Sequence, residues 1–403
     1  MRVLSAMHVF PVATRPVPNG AVAIDAGRII AVGRRDEILD QAGTDADVED
    51  LGRAALLPGL VNAHCHVELS WMAEDPPPLG DYLDWVRGLI ERRDREDESV
   101  VRVAAERAIE FMVSRGTVAV GDIANGTSVM PLLRRSTMRG VMFHEILGPR
   151  PEQAEQLIGR AIERLDAQTD DGDWRIVPTP HGPHTTSEPL LRALAGRSAA
   201  TGEPLSLHVA ESAAEVALLD DASGPFPDLF RERGLWDETW SPPGLTPVEH
   251  LDRLGVLTER TLAVHCVHLL RHDHSKLQSR GVHVVTCPRS NQRLGVGTAP
   301  VPTLLAEGIP VALGTDSLAS APDLDLFAEM AALRETHPKL APAAVLRMAT
   351  LNGALALGMA DRLGSIEPGK LAELIVVPLA SDGDPLAELC SVPSEVRRIE
   401  AGA

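Results

Sequence analysis

Several side chains that could hold a metal ion close short apolar, β-prone runs of this sequence. His64 and His66 stand two apart at the end of one such run. Strand side chains alternate between faces, so both imidazoles point the same way and can reach one ion. His208, His265 and Asp316 each close a further run. Imidazole and carboxylate ligands suit zinc, and also iron or manganese. Taken singly, each signal is weak. Most His-x-His pairs are surface or packing residues, and an Asp at a strand end more often caps a helix. The joint placement carries the reading, because packing alone does not put His or Asp at four separate strand ends.

Eight short β-runs must position these groups: Leu57–His66, Thr117–Asp122, Gly140–Glu145, Arg175–His181, Pro204–Val209, Thr261–Cys266, Val282–Cys287 and Pro310–Asp316. Helix-like stretches alternate with them. Examples are Glu152–Asp166 and Glu188–Ala200, the latter with Ser187 as its expected N-cap. Eight strands alternating with helices predict parallel βα units closing into a (β/α)8 TIM-like barrel, whose active site lies at the C-terminal strand ends. Both ends of the chain are strand-rich instead. Ala21–Asp25 and Arg28–Val32 flank the turn Ala26-Gly27, a hairpin signal, and Leu374–Val377 follows the turn Pro368-Gly369. The expected organisation is a small β-sandwich domain from residues 1–55 plus 362–403, with a catalytic barrel at 56–361 inserted between them.

Pro58-Gly-Leu-Val-Asn-Ala-His64-Cys-His66 resembles the first-strand signature of the amidohydrolases. The resemblance continues through Leu207-His208-Val-Ala-Glu211-Ser, His265-Cys-Val-His-Leu269, Cys287-Pro-Arg-Ser-Asn291 and Leu313-Gly-Thr-Asp316-Ser, and closes with Gly364-Ser-Ile-Glu-Pro-Gly-Lys370. It covers essentially the whole chain. Within the superfamily it is similar to the branch of purine-type aminohydrolases and triazine chlorohydrolases. The resemblance implies that His64, His66, His208 and Asp316 bind one divalent metal, zinc first, with iron or manganese as alternatives. It implies that Glu211 is the general acid/base, and that His265 either orients the water or touches the ion. Asp316 and His265 would accept and orient the water proton. His181 matches a substrate-contacting histidine, with His184 as a rival. The plain alternative for Glu211 is a surface carboxylate that opens a helix. Cys65 is expected to pack away from its two neighbours.

Absences narrow the chemistry. Relatives with two metals bridge them with a carboxylated lysine from the third or fourth strand, but no lysine precedes Lys276 here. A glutamate bridge through Glu145 stays open in principle. The His-x-Glu with Pro-Cys-x-x-Cys signature of cytidine deaminases is missing, as is a phosphate-binding Gly-rich loop. The four cysteines form no Cys-x-x-Cys pair and are expected to be reduced thiols. The formal net charge of −19 disfavours nucleic acid as a partner. No apolar run approaches a membrane span, and nothing at the N-terminus resembles a signal peptide, so a soluble cytoplasmic protein is expected.

The resemblance points further, to hydrolytic deamination of an adenine-type nucleoside. His66-Val-Glu68-Leu-Ser70 and Cys287-Pro-Arg289-Ser-Asn291 look like the corresponding strand ends of the aminofutalosine deaminases. The substrate would then be 6-aminodeoxyfutalosine, whose 5′ end carries a benzoate-type group, and the products futalosine and ammonia on the route to menaquinone. A benzoate needs a cationic partner, and arginine offers a bidentate fork. Arg289, Arg87 and Arg150 are candidates for it, Glu68 for an amine or ribose hydroxyl, and Trp71 and Trp85 for an aromatic ring. The competing readings are a deaminase of adenosine, S-adenosylhomocysteine or guanine, a chlorohydrolase-type enzyme, and a relative that keeps the fold but has lost its metal. The expected partner is a small nucleoside-like molecule, with a homodimer left open and neither nucleic acid nor membrane involved.

Overall fold

The computed structural model of the chain describes residues 1–95, 97–166, 172–380 and 383–399. Its strands are β1 (Arg2–Val9), β2 (Val17–Asp25), β3 (Arg28–Arg34), β4 (Asp47–Asp50), β5 (Ala54–Pro58), β6 (Leu60–Cys65), β7 (Thr117–Ala124), β8 (Arg139–Ile146), β9 (Trp174–Pro180), β10 (Leu205–Val209), β11 (Thr261–His265), β12 (His283–Thr286), β13 (Val311–Leu313), β14 (Leu374–Pro378) and β15 (Arg397–Ile399). The fold is mixed α/β. Strands β6–β9 form one four-stranded sheet in chain order and β10–β13 a second. Among the described residues no helix is long and apolar enough to cross a membrane.

These eight strands coincide with the eight β-runs read from the sequence, with one difference. The first run is cut at Gly59. Its front half, β5, pairs with β1 and β14 in another sheet, and only β6 joins the parallel set. A Cβ on Gly59 would fall 2.2 Å from a Val118 side-chain carbon, so a larger residue cannot make the crossing. Backbone links also join the two four-stranded sheets. The His208 N–H donates to the His181 carbonyl at 2.8 Å, and Cys65 and Asp316 form a parallel bridge. The N–H groups of Thr315 and Asp316 both donate to the His64 carbonyl, at 3.0 and 3.1 Å. This close approach needs Gly314, where a Cβ would come within 2.8 Å of His64.

The chain divides into two compact units. One comprises Met1–Ala63, Glu110–Val120 and Asp325–Ala403, the other His64–Ile109 and Gly121–Leu324. Residues 400–403, the end of the expected terminal segment, lie outside the described residues. In the first unit, strands from both ends of the chain share one seven-stranded sheet in the order β15-β14-β5-β1-β2-β3, with β4 added beside β1. Alternation along β1 and β2 separates its two faces. Leu4, Ala6, Val22 and Ile24 join a buried cluster with Leu56, Leu374 and Ile399, while Val3, Ala21 and Ala23 pack on Ile38 of the helix Arg35–Ala42. The helix Glu188–Thr201 begins at Ser187, as expected, but that residue's side chain makes no cap hydrogen bond.

Asp325 carries two duties in the first unit. Its carboxylate caps the helix Leu326–Thr336 by accepting from the Phe327 N–H at 2.9 Å, and it pairs with Arg115 Nε at 2.9 Å while almost fully buried. Asp325→Ala removes the cap and leaves a buried guanidinium facing its lost partner, at a cost of roughly 3–5 kcal/mol. Thermal unfolding should show a melting temperature lowered by about 3–6 °C. A shift within about one degree would contradict this account of the helix start.

Candidate active site

The groups that could carry chemistry belong to the second unit. His64, His66, His208, His265 and Asp316 all sit at or just past the C-terminal ends of β6, β10, β11 and β13. All five are buried. The backbone at these ends is unusual: Ala210, His265, Cys266 and Asp316 have φ of 50°, 70°, 50° and 60°, in the left-handed region that side chains rarely adopt. Strain of this kind persists where surrounding contacts over-determine it, as functional sites do.

One ring nitrogen from each of His64, His66 and His208 lies within 4.8 Å of the others. Asp316 Oδ1 is 3.8 Å from His64 Nε2 and 3.6 Å from His66 Nε2. Around a tetrahedral ion with bonds of about 2.0–2.1 Å, ligand atoms stand roughly 3.4 Å apart. Three imidazoles and one carboxylate therefore fit a single divalent ion with small closing movements. Neighbouring groups aim the ligands. His208 Nδ1–H donates to the His181 carbonyl at 2.9 Å, which leaves Nε2 for the cluster. Asp316 Oδ2 accepts from Ser290 Oγ at 2.5 Å and from Ser320 Oγ at 2.9 Å, leaving Oδ1 toward the histidines. Asp122, at the end of β7, accepts from the Val67 N–H at 2.8 Å and fixes the chain just after His66.

Burial, reinforced by the neighbouring imidazoles, drives His64 well below the usual histidine range. Burial also lowers His66 to about 4, against the opposing pull of Asp316 and Glu145. Both imidazoles are thus neutral at working pH, the form in which a histidine can bind a metal. For His208 burial acts downward, but the carboxylates of Glu145 and Glu211 outweigh it and the net shift is upward. Burial pushes Asp316 up, while His66, His265 and the Ser290 hydroxyl more than reverse this and keep it ionised.

A cavity of about 220 Å³ opens beside the cluster, lined by His66, His181, His208, His265, Glu211 and Asp316, with a mainly apolar remainder. Glu211 Oε1 lies 3.6 Å from His265 Nε2, and His265 Nδ1–H donates to Asn291 Oδ1 at 2.8 Å. The backbone N–H groups of Ala210 and Glu211 donate to the two oxygens of Glu215, both at 2.9 Å. Buried under the site, the Glu215 carboxyl is pushed up to about 8. The Glu211 carboxylate thus faces the space next to an N₃O donor set, the placement that a hydrolytic proton shuttle requires. His181 and His184 both line the cavity, so both histidines of that loop reach it.

The other sequence candidates fall elsewhere. Glu68 is buried but turned to Arg93 and to the N–H groups of Asn125 and Gly126, and is absent from the cavity lining. Arg289 donates to Asp323 Oδ1 at 2.7 Å and to its carbonyl at 2.8 Å, and also lies off the lining. Arg87 pairs with Glu232, and Arg150 with the Gly234 carbonyl. Trp85 lines the cavity and Trp71 does not. Glu145 lies 3.7 Å from His208 Nδ1, the nitrogen already donating to His181. With His181 and His208 it forms a second close trio that shares His208 with the first. Arginines that do line the cavity are Arg93 and Arg233, neither singled out from sequence. Tyr82, which donates to Glu211 Oε2 at 2.8 Å, was missed as well. Its one available signal was that the chain has a single tyrosine.

The amidohydrolase family pattern matches residues 55–395. The aminodeoxyfutalosine deaminase of Deinococcus radiodurans is 34% identical over 349 residues, covering 84% of this chain and 81% of that protein. The 5-methylthioadenosine/S-adenosylhomocysteine deaminase of Syntrophobacter fumaroxidans is 34% identical over 373 residues, covering 89% and 80%. A zinc-bound adenosine deaminase from Xanthomonas campestris superposes with a TM-score of 0.84 at 27% identity, covering 100% of this chain and 92% of that one. The aminofutalosine deaminase of Helicobacter pylori, in complex with methylthio-coformycin, gives 0.88 at 21% identity with 100% and 99% covered, a likeness of fold. On the breadth of these matches and the metal-ready strand ends, the chain belongs to the amidohydrolase family.

Proposed function

We propose that the chain is a one-metal hydrolytic deaminase of an adenine-type nucleoside, with the strands β6–β13 closed as a (β/α)8 barrel and zinc as the ion. Membership of the family makes it a hydrolase of C–N bonds. The observation that carries the rest is the Glu211 carboxylate facing the three-histidine, one-aspartate cluster inside a largely apolar cavity. When bound, a divalent ion polarises a water and brings its pKa to about 7. His64, His66, His208 and Asp316 would hold the ion. Glu211 delivers a proton to the ring nitrogen beside the amino-bearing carbon. As water adds to that carbon, one of its protons replaces the one that Glu211 gave to the ring nitrogen and the other passes through Glu211 to the amine, so that ammonia leaves, an oxo ring remains and Glu211 ends as it began. His265 orients the water from its Asn291 hydrogen bond. His181 and His184 contact the ring or ribose. The chain would divide into a small β-sandwich domain at 1–55 and 362–403 and the barrel at 56–361.

For the substrate we favour 6-aminodeoxyfutalosine, giving futalosine and ammonia in menaquinone synthesis in the cytoplasm. Relatives with this activity and with methylthioadenosine/S-adenosylhomocysteine activity are equally similar, so the preference rests on the cavity. Leu89, Ile90, Leu229, Phe230 and Leu235 supply apolar lining suited to a flat aromatic tail. Arg233, also on the lining, is 3.7 Å from an exposed Asp94, a loose pairing that a substrate carboxylate could replace. It takes the role that Arg289, held by Asp323, is not placed to fill.

Purified protein should hold one zinc per chain by elemental analysis, and His66→Ala should lose it. Two tightly bound ions per chain would sink the one-metal reading. Glu211→Gln should keep fold and metal yet lose about 10²–10⁴-fold in turnover, measured as ammonia release. More than a tenth of normal activity would move the proton shuttle elsewhere. Arg233→Ala should raise KM for aminodeoxyfutalosine at least about tenfold while leaving adenosine within about threefold. An equal effect on both, or a higher wild-type kcat/KM for adenosine, S-adenosylhomocysteine or guanine, would overturn the substrate. Chloride release from triazines without ammonia release from any nucleoside would overturn the deaminase.

A further inference from the structure

Glu211 has two oxygens, and the structure treats them differently. Oε1 lies 3.6 Å from His265 Nε2. Oε2 accepts a hydrogen bond from the Tyr82 hydroxyl at 2.8 Å. Tyr82 opens the helix Tyr82–Arg93, whose start is pinned by Asp81 accepting from the N–H groups of Leu83 and Asp84 at 2.9 and 3.0 Å. Its ring stacks on Trp85 with centroids 6.0 Å apart and meets Phe226 edge-on at 6.4 Å. All three rings line the cavity. A phenylalanine would fill this apolar slot equally well, so packing does not account for the hydroxyl. A buried hydroxyl must find an acceptor, and here it finds the carboxylate that the chemistry depends on. Burial and the charge of Glu211 also push the phenol well above its usual range, so it remains a donor throughout the working pH range.

We propose that Tyr82 is a positioning residue for Glu211: it reserves Oε2, fixes the carboxylate plane, and leaves Oε1 as the oxygen that takes and returns the proton. The proposal rests on Glu211 being the proton shuttle. Without the bond the carboxylate can rotate about its terminal torsion and present either oxygen, so the reactive geometry is occupied for a smaller fraction of the time. The proton count is unchanged: each proton that reaches Oε1 leaves from Oε1, and the phenol keeps its own.

The test is a double-mutant cycle on the metal-loaded enzyme with Tyr82→Phe, Glu211→Gln and both together, following ammonia release from the best nucleoside substrate. Tyr82→Phe should lower kcat roughly tenfold, as expected for a hydrogen bond to a charged group. KM should stay within about threefold, and metal content should be unchanged. In the Glu211→Gln background the same change should move kcat less than about twofold, because the partner it acts through is gone. Equal losses in both backgrounds would make the role structural, and a wild-type kcat in Tyr82→Phe would refute it outright. If Glu211→Gln itself stays active, the shuttle reading fails first and separately. A second measurement does not depend on a Tyr82 variant folding. Since the chain has one tyrosine, labelling with 3-fluorotyrosine gives a single ¹⁹F resonance. That resonance should shift between wild type and Glu211→Gln, and an unmoved signal would contradict the hydrogen bond.

Discussion

Three imidazoles and a carboxylate buried within a few ångströms of one another are the constraint on which the rest of the structure turns. Groups like these cost free energy to remove from water unless a counter-charge or ligand joins them. The surrounding contacts are arranged for that joining. The His181 carbonyl takes one nitrogen of His208, and two serine hydroxyls take one oxygen of Asp316. Asp122 holds the turn after His66, and Glu215 holds the backbone that carries Glu211. Each contact leaves a ring nitrogen or carboxylate oxygen of the cluster, or one edge of Glu211, facing a common point.

The fold delivers those groups through strand ends. Parallel strands carry their side chains in register to one edge, and left-handed residues at Ala210, His265, Cys266 and Asp316 turn the chain sharply there. The close backbone approach of β6 to the segment after β13 depends on Gly314. The mainly apolar lining of the cavity beside the cluster lowers the local dielectric, which strengthens the charge interactions within it.

Much of this was legible in the sequence. Strand periodicity and the chemistry of histidine placed eight runs and five polar side chains at their ends, because both signals are local. What escaped was pairwise and distant. The first run is two strands, since the contact of Gly59 with Val118 is invisible in composition. Glu68 and Arg289 have residue types suited to a substrate, yet each faces a partner brought near only by folding, Arg93 and Asp323. Tyr82 lies 129 residues from Glu211 in sequence, on a helix that no motif marks. Arg233 carries no signature at all, and only the cavity singles it out.

The most direct measurement of the central claim is X-ray absorption at the zinc edge on protein loaded with one equivalent of zinc. The account predicts a first shell of nitrogen and oxygen scatterers alone at about 2.0–2.1 Å, with imidazole multiple-scattering from three histidines. It also predicts no metal–metal vector near 3.5–4 Å. A sulfur scatterer at about 2.3 Å, drawn from one of the buried cysteines, or a metal–metal vector would contradict the single-ion site built from His64, His66, His208 and Asp316.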